Sequence, residues 1–215
     1  NTLMRKADNL YAFNKPPARM LLVIPVLYLA HHLLLKFTGF TYLYIYAISL
    51  LATILFSLLF DKNLLSSKRI ITEDIFRLDV IKIFLTPLFF SLTLYLVNKF
   101  LLKYPLIYIL YSSNHRVHGP EFVVVYLLII LPITEILFRG FFQFNLSIMI
   151  GEKSGYILAS LIQTMFFIFL GNYWLVAEYL IISLYLGFFY YKYRSIVINV
   201  LIQGILAVFM LIFPF

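Results

Sequence analysis

Long apolar stretches follow one another along this chain with only short polar breaks between them. They cover residues 20–35, 42–60, 80–97, 122–138, 156–170, 173–191 and 196–215. A helix needs about 20 predominantly apolar residues to cross the hydrocarbon core of a bilayer. Because 63% of the residues are hydrophobic and only 12% are charged, no single water-soluble core could bury the apolar surface. We therefore expect an all-α protein that forms a polytopic transmembrane helical bundle.

A shorter apolar segment, residues 100–111, leaves the number of spans open at seven or eight. It is too short to cross a bilayer comfortably, which favours a re-entrant or interfacial position. If it does cross, every later segment reverses its orientation. In either case we expect a polar N-terminal segment, residues 1–19, followed by one transmembrane helical domain over residues 20–215.

The charge of the polar breaks predicts the orientation. Basic residues concentrate in the N-terminal segment (Arg5, Lys6, Lys15, Arg19), the second break (Lys62, Lys68, Arg69, Arg77) and the breaks after the fourth and sixth stretches (Arg139, Lys153, Lys192, Arg194). The positive-inside rule then predicts a cytoplasmic N-terminus in a cell membrane. The net charge of +8 fits contact with anionic lipid, and we expect the lipid bilayer and no nucleic acid as a partner.

An acid and a base interrupt the fourth apolar stretch. Glu135 and Arg139 are four residues apart, the spacing that places two side chains on one helical face, and Gln143 extends this face by one turn. A charged group at membrane depth costs roughly 2.5–3.5 kcal/mol or more, so the pair should face the protein interior. Pro132 should bend the helix one turn earlier. Two interpretations stay open: a structural ion pair, or a functional site.

Two further stripes of polar residues recur at helical spacing. Ser160 and Thr164 lie in the fifth stretch, and Asn199 and Gln203 lie in the seventh. Each stripe alone is typical of helix packing, whereas together with the ion pair they favour an enclosed polar pocket. Disulfides and thiolate chemistry are excluded because the chain has no cysteine. The spacing of the four histidines does not favour a metal site, and we expect no metal and no cofactor.

Residues 122–215 resemble the core of the CPBP family, the Abi or CAAX protease and bacteriocin-processing proteins. The first family motif is represented by Thr134-Glu135-x-x-x-Arg139-Gly140 after Pro132, and the second aligns with Phe167 to Gly171. The third region resembles Leu186 to Ser195 followed by Ile198 to Ala207. The resemblance implies a helical intramembrane fold.

The resemblance also implies a chemistry that this chain departs from. Active members of the family use a pair of glutamates and a histidine to activate water, and a histidine and an asparagine to polarise the scissile carbonyl. At these positions the chain has Thr134 for the first glutamate, Gly171 and Gln203 for the histidines, and Ala207 for the asparagine. Glu135 and Arg139 remain as the remnant catalytic residues. They are not expected to be sufficient for hydrolysis, because a single carboxylate that is engaged by an arginine is a weak base.

The leading hypothesis is therefore a catalytically silent relative, a pseudoenzyme that binds or scaffolds a membrane or cell-envelope protein or peptide in a bacterium. A regulatory or bacteriocin-immunity role follows by analogy with the family. The expected binding residues line the predicted pocket: Thr134, Gln143, Thr164, Phe167, Gly171, Asn199 and Gln203. Two alternatives stay open, an active glutamate-dependent endopeptidase of the CAAX-protease type and a small transporter or lipid-handling protein.

Overall fold

The computed structural model describes residues 21–37, 42–59, 64, 80–97, 126–168 and 173–212. Within these ranges it contains seven helices and no strand, which confirms the predicted all-α class. The helices are α1 Val23–Phe37, α2 Tyr42–Leu58, α3 Val80–Val97, α4 Tyr126–Ile150, α5 Glu152–Ile168, α6 Tyr173–Tyr193 and α7 Ile196–Ile212. The predictions for residues 1–19, for segment 100–111 and for Gly171 lie outside the described residues.

The fourth helix is longer than the sequence predicted. Its apolar stretch was expected to end at residue 138, but α4 continues to Ile150 because buried residues such as Phe142 and Leu146 extend its apolar face. The assignment of Arg139 to a polar break was therefore wrong, since this residue lies in the middle of α4. The helix ends at Gly151, whose φ of 91° is readily adopted by glycine.

Helix α4 is irregular along much of its length. It has π-helical geometry over Tyr126–Ile130 and Ile136–Gln143, separated by the α-helical turn Leu131–Glu135 that contains Pro132. The backbone N–H of Phe144 accordingly donates to the carbonyl of Arg139, five residues earlier. Widened turns of this kind are rare and occur frequently at functional sites.

The other helices pack around α4. It contacts α2, α5, α6 and α7, whereas α1 packs on α2 and α3 packs on α7. The turn from α4 to α5 is tight: a Cβ added to Gly155 would lie 2.6 Å from the backbone nitrogen of Ser147. The hydroxyl of Tyr28 on α1 donates to the carbonyl of Ile162 on α5, which ties the N-terminal helices to the C-terminal ones.

By length and composition, one helix in the described ranges is able to cross a membrane. It is α4, whose most apolar 18-residue window has a mean hydropathy of 1.7. Shorter apolar helical stretches occur at residues 47–58, 85–97 and 196–209. Large apolar side chains point outward, with Leu55 67%, Phe89 66% and Leu128 72% exposed. The number of spans, predicted as seven or eight, stays a prediction.

Candidate functional site: a buried polar network

The acid and base of the fourth helix form an ion pair inside the bundle. Arg139 Nε lies 3.5 Å from Glu135 Oε2, and both side chains are 0% exposed. This separation is longer than a charge-assisted hydrogen bond, so the contact is mainly an electrostatic one. Other groups must therefore fix the orientation of each side chain.

The guanidinium of Arg139 is held mainly by α5 and α6. Its Nη2 donates to the carbonyl and hydroxyl oxygens of Ser183, at 2.8 and 3.1 Å, and to Oε1 of Gln163 at 2.8 Å. Its Nη1 makes longer contacts of 3.4 Å with Gln143 Oε1 and Ser160 Oγ. Because these acceptors are neutral, the negative charge facing Arg139 in this network is that of Glu135.

The acceptors of Arg139 are linked to one another as well. Ser183 Oγ donates to Gln163 Oε1 at 2.5 Å, and Ser160 Oγ donates to the carbonyl of Ser183 at 2.9 Å. Gln143 donates from Nε2 to the carbonyl of Gly187 at 2.8 Å. Hydrogen bonds between buried polar groups rigidify a packing arrangement when the members are satisfied. The network thus fixes α4, α5 and α6 against each other.

Gly187 provides the space for this network. A Cβ at this position would lie 2.9 Å from Ser160 Oγ and 3.3 Å from Arg139 Nη1. Ser183 and Gly187 contribute to the site but were not predicted as site residues. Their spacing of four residues on α6 was the available signal, although a pair of small residues is equally typical of plain helix packing.

Helix α7 contacts Glu135, the acidic member of the ion pair. Asn199 Nδ2 donates to Glu135 Oε2 at 3.0 Å and to the carbonyl of Leu186 at 2.8 Å. One side chain thereby joins α7 to both α4 and α6. The carboxylate oxygen that faces Arg139 is consequently shared between the guanidinium and the Asn199 amide.

Three further predicted site residues contact groups other than the ion pair. The hydroxyl of Thr134 donates to the carbonyl of Ile130 at 2.7 Å, and that of Thr164 donates to the carbonyl of Ser160 at 2.8 Å. The ring of Phe167 packs on that of Tyr179, with centroids 3.7 Å apart. Of the predicted set, the structure brings Glu135, Arg139, Gln143 and Asn199 into one network, through the contacts given above.

Several polar atoms of the network remain without a hydrogen-bond partner among the described residues. Two are acceptors, Glu135 Oε1 and Asn199 Oδ1, and two are donors, Arg139 Nε and Gln163 Nε2. Outside the network, Gln203 Oε1 on α7 also has no partner among these residues. Buried polar atoms of this kind are uncommon in folded proteins and call for a physical explanation.

No imidazole contacts the carboxylate in the described part of the chain, where Glu135 has Arg139 and Asn199 as its polar partners. His31 lies elsewhere, with Nδ1 3.2 Å from the hydroxyl of Ser49 between α1 and α2. The described residues also contain no group of three or more His, Cys, Asp or Glu side chains that could hold a metal ion. General-base catalysis by Glu135 would have to proceed through Oε1 alone.

The fold and the site together define an all-helical bundle with a buried glutamate–arginine pair. Residues 117–209 match the family described as type II CAAX prenyl endopeptidase Rce1-like. No curated protein and no solved structure gives a significant match to the chain. The family match contains Glu135, Arg139 and Asn199 and confirms the resemblance predicted from the sequence, to a family whose members are embedded in membranes.

Proposed function

We propose that this protein is a catalytically silent member of the family that binds a membrane-embedded or cell-envelope protein or peptide. The role would be that of a regulator, scaffold or immunity protein rather than of an endopeptidase. The polar network built on Glu135 and Arg139 then serves to hold the helices in register around a binding site.

The engagement of Glu135 is the observation that carries this proposal. One carboxylate oxygen is shared by Arg139 and Asn199, at 3.5 and 3.0 Å, so two protein groups already occupy the position from which it would bind water. Removal of a proton from water also requires stabilisation of the resulting oxyanion. In the described residues, Asn199 Nδ2 already donates to Glu135 and Leu186.

An active endopeptidase is the second candidate, and one observation favours it. Glu135 Oε1 has no hydrogen-bond partner in the described ranges and is thus able to accept a proton from water. The distinction between the two candidates is whether this unpaired carboxylate oxygen is sufficient for hydrolysis, given that no imidazole contacts it within the described ranges.

We also propose that the protein is a multi-pass component of a bacterial cell membrane with a cytoplasmic N-terminus. The outward-facing apolar side chains, such as Leu55, Phe89 and Leu128, support a lipid environment. The charge distribution of the polar breaks supports the orientation.

The partner is tested by purifying the tagged full chain from native membranes after cross-linking. We expect a defined envelope protein or peptide to co-purify with the chain. In a strain from which the chain is deleted, we expect that partner to lose its activity. A Gly204→Trp variant should block the partner because the position of its Cβ has no described atom within 4 Å. Thr93→Trp, at an exposed position on α3, is the matched control. Recovery of the chain alone, with no effect of its deletion on envelope proteins, would contradict the proposal.

A further inference from the structure

Positive charge collects at one end of the bundle, where the α4–α5 turn meets the α6–α7 turn. Apart from the buried Arg139, each lysine and arginine whose side chain the structure describes lies at this end: Lys153 at the start of α5, Lys192 at the end of α6 and Arg194 between α6 and α7. The guanidinium of Arg194 contacts the carboxylate of Glu152, which brings the two turns together. Since this carboxylate offsets one of the three positive charges, the other two remain to attract an anion.

Arg194 occupies a backbone position that suits glycine better. Its φ is 51°, and it is the one non-glycine residue with a positive φ among the described residues. Residues with a Cβ rarely adopt this left-handed conformation, which glycine adopts readily. The ion pair with Glu152 returns little stability, because the two side chains are 27% and 42% exposed. Folding alone therefore gives no reason for an arginine here, whereas the binding of an anion does.

Tyrosines accompany the basic side chains at this end. The rings of Tyr156 on α5 and Tyr191 on α6 have centroids 5.9 Å apart, and both residues are half-buried. The ammonium group of Lys192 lies 5.1 Å from the ring centroid of Tyr193. Tyrosine combines an apolar ring with a polar hydroxyl and is enriched where a membrane meets water. This end of the bundle is therefore suited to the level of the lipid headgroups.

We propose that the two turns form a binding site for an anionic phospholipid, whose headgroup phosphate pairs with Lys153, Lys192 and Arg194. Exposed apolar side chains continue from the two lysines toward the middle of the bundle. Ile157 lies four residues after Lys153 on α5, and Phe188 lies four residues before Lys192 on α6, so each shares a helical face with its lysine. They are 43% and 46% exposed. Acyl chains would cover these side chains, a contact that a soluble anion does not make.

Lipid titrations of the purified full chain in detergent test this site. Phosphatidylglycerol and phosphatidylcholine with the same acyl chains are the probes, and bound lipid is counted by native mass spectrometry. The test variants are the double substitution Lys153→Gln/Lys192→Gln and the single substitution Glu152→Gln. Lys36→Gln on α1 is the control for a lost positive charge, and Ser154→Ala, exposed in the same turn, is the control without a charge change. Thermal unfolding checks that each variant is folded.

We expect the wild-type protein to prefer phosphatidylglycerol, and the double variant to lose about fivefold of this preference for each lysine removed. Glu152→Gln should increase the preference by a similar factor, because it removes the negative charge from the site. Lys36→Gln and Ser154→Ala should leave it unchanged.

A loss as large in Lys36→Gln as in the double variant would overturn the site, since it would show a diffuse attraction to the net charge. Equal binding of the two lipids by the wild-type protein would overturn it as well and leave the partner-binding proposal untouched. Glycerol phosphate is the soluble competitor. Displacement of the lipid by glycerol phosphate at equal concentration would make a free anion the occupant and contradict the assignment to a phospholipid.

Discussion

Asn199 on α7 donates a hydrogen bond from its side-chain amide to Glu135 on α4 at 3.0 Å, although 64 residues separate them in the sequence. The same nitrogen donates to the carbonyl of Leu186 on α6 at 2.8 Å. Arg139 makes the complementary links to α5 and α6. A charged pair that could have been a local feature of one helix is thus the point at which four helices are joined.

The first prediction concerns the loss of the buried base. Arg139→Met should lower the free energy of unfolding by about 3–5 kcal/mol, because it leaves the Glu135 carboxylate buried without its counter-charge. The measurement is denaturant or thermal unfolding of the purified protein in detergent.

Arg194 is the matched control for this substitution. It forms an ion pair with Glu152 at the junction of α5, α6 and α7, and the two side chains are 27% and 42% exposed. Because solvent screens such a pair, Arg194→Gln should cost only about 0–1 kcal/mol. Equal destabilisation by the two substitutions would contradict the assignment of Arg139 as the centre of the network.

The second prediction compares two glycines of neighbouring helices. Gly187→Ala on α6 places a Cβ 2.9 Å from Ser160 Oγ and should destabilise the protein by about 1–3 kcal/mol through overpacking. Gly204→Ala on α7 meets no described atom within 4 Å and should stabilise the helix by up to about 1 kcal/mol. Opposite shifts of the melting temperature are the expected result, and a stabilising Gly187→Ala would show that the polar network does not need this space.

The third prediction concerns orientation in the membrane. The chain has no cysteine, so single cysteines can be introduced at Lys6, Lys153 and Lys192 and labelled with an impermeant maleimide. Seven spans with a cytoplasmic N-terminus predict labelling of all three from the cytoplasmic side. If segment 100–111 is an eighth span, Lys153→Cys and Lys192→Cys will label from the opposite side to Lys6→Cys.

The sequence predicted the helices well because each one coincides with a long apolar stretch, and the length of such a stretch can be read from the sequence alone. The expected boundaries of α2, α3 and α6 differ from those of the structure by at most a few residues. The end of α4 was misplaced because Arg139 and Gly140 interrupt the apolar pattern and look like the start of a loop. A charged side chain is compatible with a helix interior when other helices supply its partners, which local sequence does not reveal.

The candidate site was predictable only in part for the same reason. Glu135, Arg139 and Gln143 were identified because their spacing places them on one helical face. Ser183 could not be identified as a partner of Arg139, because its shorter contact, at 2.8 Å, uses the backbone carbonyl, a group that every residue carries, and its hydroxyl contact at 3.1 Å depends on how α4 and α6 pack. Which helices meet, and at what height, depends on tertiary packing.

The fourth prediction tests the central claim, that Glu135 is a structural rather than a hydrolytic carboxylate. The purified full chain in nanodiscs is incubated with a prenylated CAAX-type peptide and with an apolar transmembrane peptide, and released fragments are quantified by mass spectrometry. An active type II CAAX prenyl endopeptidase is the positive control. We expect no cleavage above background by the wild-type protein and the same background with Glu135→Gln. Cleavage by the wild-type protein that disappears in Glu135→Gln would contradict the account.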